Sequence, residues 1–314
     1  MELGHLPVLA EEVTQMLAPR PGSLHVDGTV GGGGHTERIL EAASPDGRVL
    51  GLDADPAAIA RVGERLARFG DRFVLRQANF RSLGEVAPDA GFGAVDGILL
   101  DLGLSSFQLA DTGRGFGFRA GGPLDMRFDP NRGEPASALL ARLDEAALAE
   151  CFRRFGEEPH ARRIARAIVD ARRAAPIETA EQLASVVERA VPRRPGPRGR
   201  IHPATRVFQA LRIAVNGELD ALEAVLAASL DLLRPGGRLV VLSYHSLEDR
   251  VAKRFVAAER RGCTCPPVFP VCVCGREPRL RSVGPQPAVP SDAEVAANPR
   301  ARSARLRTAE RLAA

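Results

Sequence analysis

The chain has 314 residues, of which 45% are hydrophobic, so it can bury the core of one large α/β domain or of two smaller domains. It has neither the run of roughly 18 apolar residues that a transmembrane helix needs nor a basic segment followed by an apolar one near residue 1, which predicts a soluble, cytoplasmic protein. The net charge of +4 comes almost wholly from arginine, because Lys253 is the only lysine, and it is compatible with an anionic partner without requiring one.

The first predicted elements are a helix over residues 7–17, a strand over residues 24–27 and a helix over residues 36–43, with four consecutive glycines at residues 31–34. Glycine loses much backbone entropy on folding, so such a run is expected where the chain turns tightly or where a ligand touches the main chain. The pattern predicts a strand, a glycine loop that binds a ligand, and a helix. A flexible surface loop is the alternative.

Short apolar runs then alternate with helical patterns. Strands are predicted at residues 48–53, 73–76 and 94–101. A helix is predicted after the first of these strands: Asp55 is a suitable cap, Pro56 suits the first helical position, and the helix extends to about residue 69. This alternation is typical of a parallel sheet with helices on both faces, which makes the predicted fold class α/β.

The alternation stops after Asp101, where residues 103–131 form a long irregular segment. Helical patterns follow at residues 144–155, 158–174 and 179–191, and Thr179 and Gln182 have the spacing of a capping box. These features predict an all-α insertion, followed by an arginine-rich linker over residues 192–203. The linker is either a solvated loop or a phosphate contact.

The α/β core resumes after the linker. Helical periodicity covers residues 204–234 with a break near Asn216 and Gly217, a strand is predicted at 238–244 and a helix at 247–260. Period-two alternation over residues 303–309 predicts a final half-exposed strand at an edge of the sheet. The predicted domains are residues 1–106 (core), 107–203 (helical insertion with RNA-facing loops) and 204–314 (core, with a Cys/Pro-rich segment at 262–290).

Four cysteines in that segment, Cys263, Cys265, Cys272 and Cys274, form two C-x-C pairs. Their number suits tetrahedral zinc, although the spacing is tighter than the common C-x-x-C. Disulfides are not expected in a cytoplasmic chain. A structural metal and free thiols both remain open.

In an open α/β sheet, a ligand binds at the carboxyl ends of the strands, where the strand order reverses. Asp53 has the position of a carboxylate that accepts hydrogen bonds from ribose hydroxyls, and Phe80 that of a side chain flanking adenine. A dinucleotide fingerprint would need a glycine in place of Thr36, so S-adenosylmethionine, which has no pyrophosphate, is favoured over NAD. A polar residue lies at or just after the carboxyl end of each of the first four predicted strands: Asp27, Asp53, Asn79 and Asp101.

Nine motifs spread along the chain together resemble the MraW/RsmH family. That resemblance implies a class I, Rossmann-like S-adenosylmethionine-dependent methyltransferase sheet with an inserted all-α domain. It further implies methylation of N4 of a cytidine in the decoding region of 16S ribosomal RNA, within the small ribosomal subunit. The motifs are residues 27–35 (DGTVGGGGH), 96–106 (DGILLDLGLSS), 114–118 (RGFGF), 123–127 (PLDMR), 155–158 (FGEE), 202–205 (HPAT), 208–213 (FQALRI), 243–250 (SYHSLEDR) and 298–307 (NPRARSARLR).

The resemblance also assigns functional residues. Gln108 rests on the resemblance alone, and Tyr244 stands where the family commonly has phenylalanine. The methyl-donor site carried over from the family is Gly33, Gly34, His35, Asp53, Phe80, Asp101 and Gln108.

Cytosine N4 is a poor nucleophile, so transfer needs alignment with the methyl group, acceptors for the amine hydrogens and a route for proton loss. Asp101 is the hypothesised acceptor, and Tyr244, His245, Glu248 and Asp249 are the hypothesised contacts to the base. Methylation at carbon 5 would need a nucleophilic cysteine, and no cysteine lies in the sheet loops, so direct in-line transfer without a covalent enzyme–base intermediate is favoured. The expected RNA contacts are Arg114, Arg127, Arg193, Arg194, Arg198 and Arg200.

Two other classes of function stay open. A small-molecule methyltransferase would leave the arginine-rich linker and the large insertion unexplained. A non-catalytic RNA-binding module would leave the set of donor-site residues unexplained.

Overall fold

The computed structural model describes residues 7–117, 122–191, 202–266 and 268–313. The chain divides into two compact units. Unit 1 comprises Met1–Gly103 and Leu219–Ala314, and unit 2 is Leu104–Glu218.

Helices in the described part of the chain follow the predicted pattern closely, although the helix predicted to reach residue 69 ends at Arg65, before a 3₁₀ segment. Four short helices, α4, α5, α6 and α13, were not predicted, and α5 lies within the segment that was predicted to be irregular. The α-helices are α1 (Ala10–Leu17), α2 (Gly34–Ala42), α3 (Pro56–Arg65), α4 (Leu83–Asp89), α5 (Ser106–Ala110), α6 (Ala136–Arg142), α7 (Glu145–Gly156), α8 (Ala161–Ala174), α9 (Ala180–Ala190), α10 (Thr205–Asn216), α11 (Glu218–Leu232), α12 (Ser246–Arg261) and α13 (Asp292–Ala297).

Unit 1 contains a seven-stranded sheet in the order β3-β2-β1-β4-β5-β7-β6. The first five strands of this order are parallel, and β7 is antiparallel to both of its neighbours. This is the predicted Rossmann-like α/β fold, and the strand order reverses between β1 and β4. The strands are β1 (Leu24–Asp27), β2 (Arg48–Asp53), β3 (Phe73–Gln77), β4 (Val95–Asp101), β5 (Leu233–Ser243), β6 (Leu280–Ser282) and β7 (Arg305–Arg311).

Alternate residues of the central strands pack on opposite faces of the sheet. In β4, Ile98 and Leu100 pack with side chains of α4 and α11, whereas Leu99 packs with side chains of α1, α2 and α3. Both faces are therefore covered by helices, which explains why the strands read as continuous apolar runs.

The final strand was predicted at an edge of the sheet, and that prediction is wrong. β7 pairs with β5 along six residues and with β6 on its other side, so β6 forms the edge. Arg307 and Glu310 are buried although they are charged. They form ion pairs, Arg307 with Asp249 of α12 and Glu310 with Arg281, so a charged residue in this strand does not by itself mark a solvent-exposed position.

Unit 2 is helical, and its core is built largely by α7, α8, α9 and α10. Phe208 and Leu211 of α10 are buried in the same core as Phe152 of α7. The unit therefore extends through α10 to Glu218, beyond the boundary predicted at residue 203. The predicted capping box is present, because Thr179 Oγ1 accepts a hydrogen bond from the Gln182 N–H.

The lengths and the apolar character of the helices bear on whether any of them could span a membrane. Among the described residues, no helix combines the length and the apolar character needed to cross a bilayer.

Candidate active site at the carboxyl ends of the strands

The candidate site lies in unit 1, where the order of strands reverses between β1 and β4. Asp27, Asp53 and Asp101 are the last residues of β1, β2 and β4. Since these strands are parallel neighbours, their carboxyl ends meet at one edge of the sheet, where ligands of doubly wound folds bind.

Backbone hydrogen bonds fix the glycine loop between β1 and α2. The Gly28 N–H donates to Leu99 O at 2.9 Å, and the Val30 N–H donates to Leu52 O at 2.9 Å. Gly33 has φ 80°, a left-handed conformation that glycine adopts readily, and its N–H donates to Val30 O at 2.7 Å. The loop is thus a defined turn tied to both adjacent strands, as the strand–loop–helix prediction requires.

Gly28 also allows a close approach of neighbouring side chains. A Cβ atom at this position would lie 2.8 Å from Leu100 Cδ2 and 3.5 Å from Phe80 Cβ. Phe80 itself begins a short 3₁₀ turn that Asn79 caps, with Asn79 Oδ1 accepting from the Arg81 N–H at 3.0 Å. The turn after β3 therefore places the Phe80 Cβ atom close to Gly28, at the start of the glycine loop.

Asp27 is buried and hydrogen-bonded to Thr29 and Thr36. Its Oδ1 accepts from the Thr29 N–H at 3.0 Å, and its Oδ2 accepts from Thr36 Oγ1 at 2.7 Å. Only 1% of the residue is exposed, and burial raises the pKa of its carboxyl group despite these hydrogen bonds. Its position favours a role in shaping the loop.

Asp53 holds the glycine loop and retains acceptor capacity. Its Oδ2 accepts from the Gly31 N–H and its Oδ1 from the Asp55 N–H, each at 2.9 Å. A carboxylate has about four lone-pair sites, so each oxygen can accept a further hydrogen bond from a ribose hydroxyl. Burial raises the pKa of Asp53 to about 6.

Asp101 is placed by Thr29, a residue that sequence reasoning missed. Thr29 Oγ1 accepts from the Asp101 N–H at 2.7 Å, while the Thr29 N–H donates to Asp27, so this one residue links the ends of β1 and β4. Part of this signal was present in the sequence, because an aspartate commonly accepts a hydrogen bond from the backbone N–H two residues further on, which here is that of Thr29. The Asp101 side chain is 22% exposed.

His35 and Tyr244 flank Asp101. His35 Nε2 lies 3.6 Å from Asp101 Oδ2, and neither ring nitrogen of this buried histidine has a hydrogen-bond partner among the described residues. Buried polar atoms are normally paired, so these two ring nitrogens suggest that a polar group of a ligand binds beside His35. Burial, and next the Asp101 carboxylate, raise the pKa of Tyr244, which keeps its hydroxyl protonated and able to donate to Asp101.

Glu248 and Asp249 have structural partners. Glu248 Oε2 accepts from the Tyr244 N–H at 2.9 Å and is part of the capping box of α12 with His245. Asp249 pairs with Arg307 at 2.7 Å and Arg305 at 3.2 Å. Burial alone would raise the pKa of Asp249, but the hydrogen bonds and charges of these arginines outweigh it and lower that pKa. His245 itself caps α12, and its Nε2 lies 3.0 Å from Glu248 Oε1, so Tyr244 is the strongest candidate among the four predicted base contacts.

A comparison with known proteins identifies the family. The model of the MraW methylase family matches residues 2–312. The chain belongs to the MraW methylase family. Proteins named ribosomal RNA small subunit methyltransferase H are similar to it over nearly their whole length. The protein from Thermomicrobium roseum is 56% identical, and the match covers 98% of this chain and 94% of the relative. The protein from Heliobacterium modesticaldum is 51% identical, with 99% of this chain and 100% of the relative covered. The protein from Geotalea uraniireducens is 52% identical, with 98% of each chain covered.

In this member of the MraW methylase family, the predicted donor-site residues are divided between the two units. Gly33, Gly34, His35, Asp53, Phe80 and Asp101 belong to unit 1, and Gln108 belongs to unit 2. Gln108 is buried and forms a capping box with Ser105 at the start of α5, its Oε1 accepting from the Ser105 N–H at 3.1 Å. This local contact fixes Gln108 to the first turn of α5.

Two arginines predicted to contact RNA are engaged inside unit 2 of the methylase. Arg114 donates to the carbonyl oxygens of Arg127 and Phe128 at 2.7 and 2.9 Å. Arg127 forms a bidentate pair with Asp125, at 2.8 and 2.7 Å. Both guanidinium groups therefore hold the irregular segment together. The other predicted contacts, Arg193, Arg194, Arg198 and Arg200, lie outside the described residues.

Proposed function

We propose that this chain transfers a methyl group from S-adenosylmethionine to N4 of a cytidine in the 16S RNA of the small ribosomal subunit. Membership of a methylase family and the names of relatives that share half of its residues support an RNA methyltransferase. The observation that carries the proposal is the convergence of Asp53, Asp101 and the glycine loop at the point where the strand order reverses.

The donor fits the residues of unit 1. Asp53 would accept hydrogen bonds from the ribose hydroxyls, and Phe80 would flank the adenine ring. The main chain of the glycine loop would lie against the methionine portion, with the buried ring nitrogens of His35 available to its polar groups. Once bound, S-adenosylmethionine supplies an electrophilic methyl group on a sulfonium centre.

Asp101 would orient the target amine. The lone pair of N4 is delocalised into the cytosine ring, so the amine must pyramidalise as it attacks. The Asp101 carboxylate would accept one of the amine hydrogens, and Tyr244, whose hydroxyl donates to Asp101, would keep that carboxylate in place. A positively charged amine would then lose a proton to a nearby acceptor. Because N4 takes part in base pairing, the cytidine must be unpaired or extruded.

Methylation at carbon 5 of the base is the closest rival reaction, and it requires a cysteine nucleophile. Cys151 is buried in α7 of unit 2, and burial raises the pKa of its thiol to about 12, which disfavours the reactive thiolate. The other four cysteines lie between α12 and β6. The positions of the cysteines therefore favour attack by N4 itself.

Radiolabelled S-adenosylmethionine offered separately to small subunits, naked 16S RNA and free nucleosides tests the proposal. Nucleoside analysis of the product should show N4-methylcytidine with a ribosomal substrate only. Label in 5-methylcytidine would contradict the proposed chemistry, and transfer to free nucleosides would indicate a small-molecule methyltransferase. Binding of RNA without any transfer would indicate a non-catalytic module.

A further inference from the structure

Four cysteine sulfurs lie together between α12 and β6, in a part of unit 1 that the proposed reaction does not use. Cys272 Sγ is 3.4 Å from Cys263 Sγ, 3.5 Å from Cys274 Sγ and 4.0 Å from Cys265 Sγ. Cys263 and Cys274 are 3.8 Å apart, and all four sulfurs lie within 4.8 Å of one another. The two C-x-C pairs thus face each other as one compact group.

These separations match the geometry of a metal centre better than that of a disulfide. A disulfide joins two sulfurs at about 2.0 Å, and all four cysteines are free thiols in the structure. Four thiolates around one zinc ion have Zn–S bonds of about 2.3 Å, which places tetrahedral ligands about 3.8 Å apart. The observed distances of 3.4 to 4.0 Å bracket that value.

The backbone supplies hydrogen bonds to two of the sulfurs. The Thr264 N–H donates to Cys274 Sγ at 3.4 Å, and the Val273 N–H donates to Cys265 Sγ at 3.4 Å. Each donor lies between the two cysteines of one pair and reaches a sulfur of the other pair. Such outer contacts orient metal ligands and stabilise the negative charge of thiolates.

Apolar burial does not explain the order of this segment. Val268, Phe269, Val271 and Val273 are 83%, 50%, 70% and 74% exposed. Ordering the backbone costs about 1–2 kcal/mol per residue, which this segment does not recover by packing apolar side chains. Its two ends are nevertheless held together, because the Arg279 N–H donates to Glu259 O at 2.8 Å. A cross-link among the cysteines would hold the chain that lies between Glu259 and Arg279.

We propose that Cys263, Cys265, Cys272 and Cys274 bind one Zn²⁺ ion. With four protein ligands the ion has no open position, so its role is structural: it orders residues 263–274 beside the edge strand β6. The site is separate from the strand-end residues, and its existence does not depend on the proposed methyl transfer.

Elemental analysis of the full-length, untagged protein, purified without added zinc and dialysed against a weak chelator, tests the site directly. We expect one zinc ion per chain. The double variant C263S/C274S should lose the metal, and C151S, which changes the buried cysteine of unit 2, should retain it. Metal-free wild-type protein, iron in place of zinc, or zinc retained by the double variant would overturn the assignment.

A second measurement covers the case in which the double variant folds poorly. Wild-type protein stripped by a strong chelator and reloaded with Co²⁺ should show the visible absorption of tetrahedral cobalt thiolate. Limited proteolysis should cut residues 263–274 in the stripped protein and spare them after zinc is restored. Absence of the cobalt spectrum, or proteolysis that zinc does not change, would contradict a zinc site.

Discussion

The glycine loop after β1 and the described part of the irregular segment of unit 2, residues 113–117 and 122–133, are held by different kinds of side chain. Main-chain hydrogen bonds to β2 and β4 hold the glycine loop, together with the carboxylates of Asp27 and Asp53, which accept from the Thr29 and Gly31 N–H groups. In the irregular segment, cationic and amide side chains add to the main-chain bonds: Arg114, Arg127 and Asn216 all donate to main-chain oxygens, with Asn216 Nδ2 donating to Met126 O at 2.8 Å.

The difference determines which side chains remain available to a ligand. Around the glycine loop, each carboxylate oxygen of Asp53 accepts one internal hydrogen bond and can accept another, and the Asp101 side chain is 22% exposed. In the irregular segment, the positive charges that suggested RNA contacts are committed to the fold. A charged side chain therefore indicates binding only where its internal hydrogen bonds leave it further donor or acceptor capacity.

The largest effect is expected from Asp101→Asn, which keeps the shape of the side chain and weakens its hydrogen-bond acceptance. Loss of a group that positions or accepts protons lowers turnover by about 10²–10⁴-fold. The measurement is the single-turnover rate at saturating donor, together with the unfolding midpoint, which should change little. The exposed Asp89→Asn, with the same charge change, is the control. Wild-type turnover in Asp101→Asn would remove Asp101 from the proposed mechanism.

Asp249→Asn should chiefly affect stability. Asp249 and Arg307 are each only 8% exposed, and removing one member of a buried pair costs about 3–5 kcal/mol of unfolding free energy. The lowered pKa of Asp249 means that this stabilisation is present above the unfolded pKa of about 4 and is lost as the pH falls below it. Urea unfolding at pH 7 measures the loss, and the exposed Asp292→Asn serves as the control.

The same variant distinguishes a structural role from contact with the base. The turnover rate of the folded fraction of Asp249→Asn should fall much less than the turnover rate of Asp101→Asn. Unchanged unfolding with a large loss of turnover would instead place Asp249 at the base, as the sequence predicted.

Arg127→Ala tests the irregular segment. Its bidentate pair with Asp125 is partly buried, with side chains 20% and 18% exposed, so the free energy of unfolding should fall by about 1–3 kcal/mol. The salt dependence of RNA binding should stay the same, whereas loss of a phosphate contact would reduce its slope by about one. The exposed Arg132→Ala should alter neither quantity. A reduced slope at unchanged stability would restore Arg127 as an RNA contact.

The smallest effect concerns the pH dependence of donor binding. Because burial raises the pKa of Asp53 to about 6, the carboxylate that would accept the ribose hydroxyls becomes protonated below that pH. The apparent Kd for S-adenosylmethionine should be constant above pH 6 and rise about tenfold per unit below it. Calorimetry between pH 5 and pH 8 measures this dependence. Asp53→Asn should bind weakly with a flatter profile, and an unchanged profile in that variant would assign the titration to another group.

Local patterns predicted most of the fold. The bounds of β1 and β2, the cap at Asp55 and the capping box at Thr179 follow from neighbours in the chain, and the structure contains all of them. The position of β7 could not be predicted in this way. Its charged residues are neutralised by partners far away in the sequence, such as Asp249 for Arg307, so period two did not indicate exposure.

The sequence by itself determined the α/β class, the glycine loop, the strand-end carboxylates and the family, because each depends on short spacings or on motifs read directly from the chain. Only the tertiary structure decided which charged side chains are committed to internal partners, that α10 belongs to the helical unit, and that four cysteine sulfurs converge. These properties depend on contacts between residues distant in sequence, and burial of such contacts determines whether a charge or a thiol faces solvent, a protein partner or a ligand.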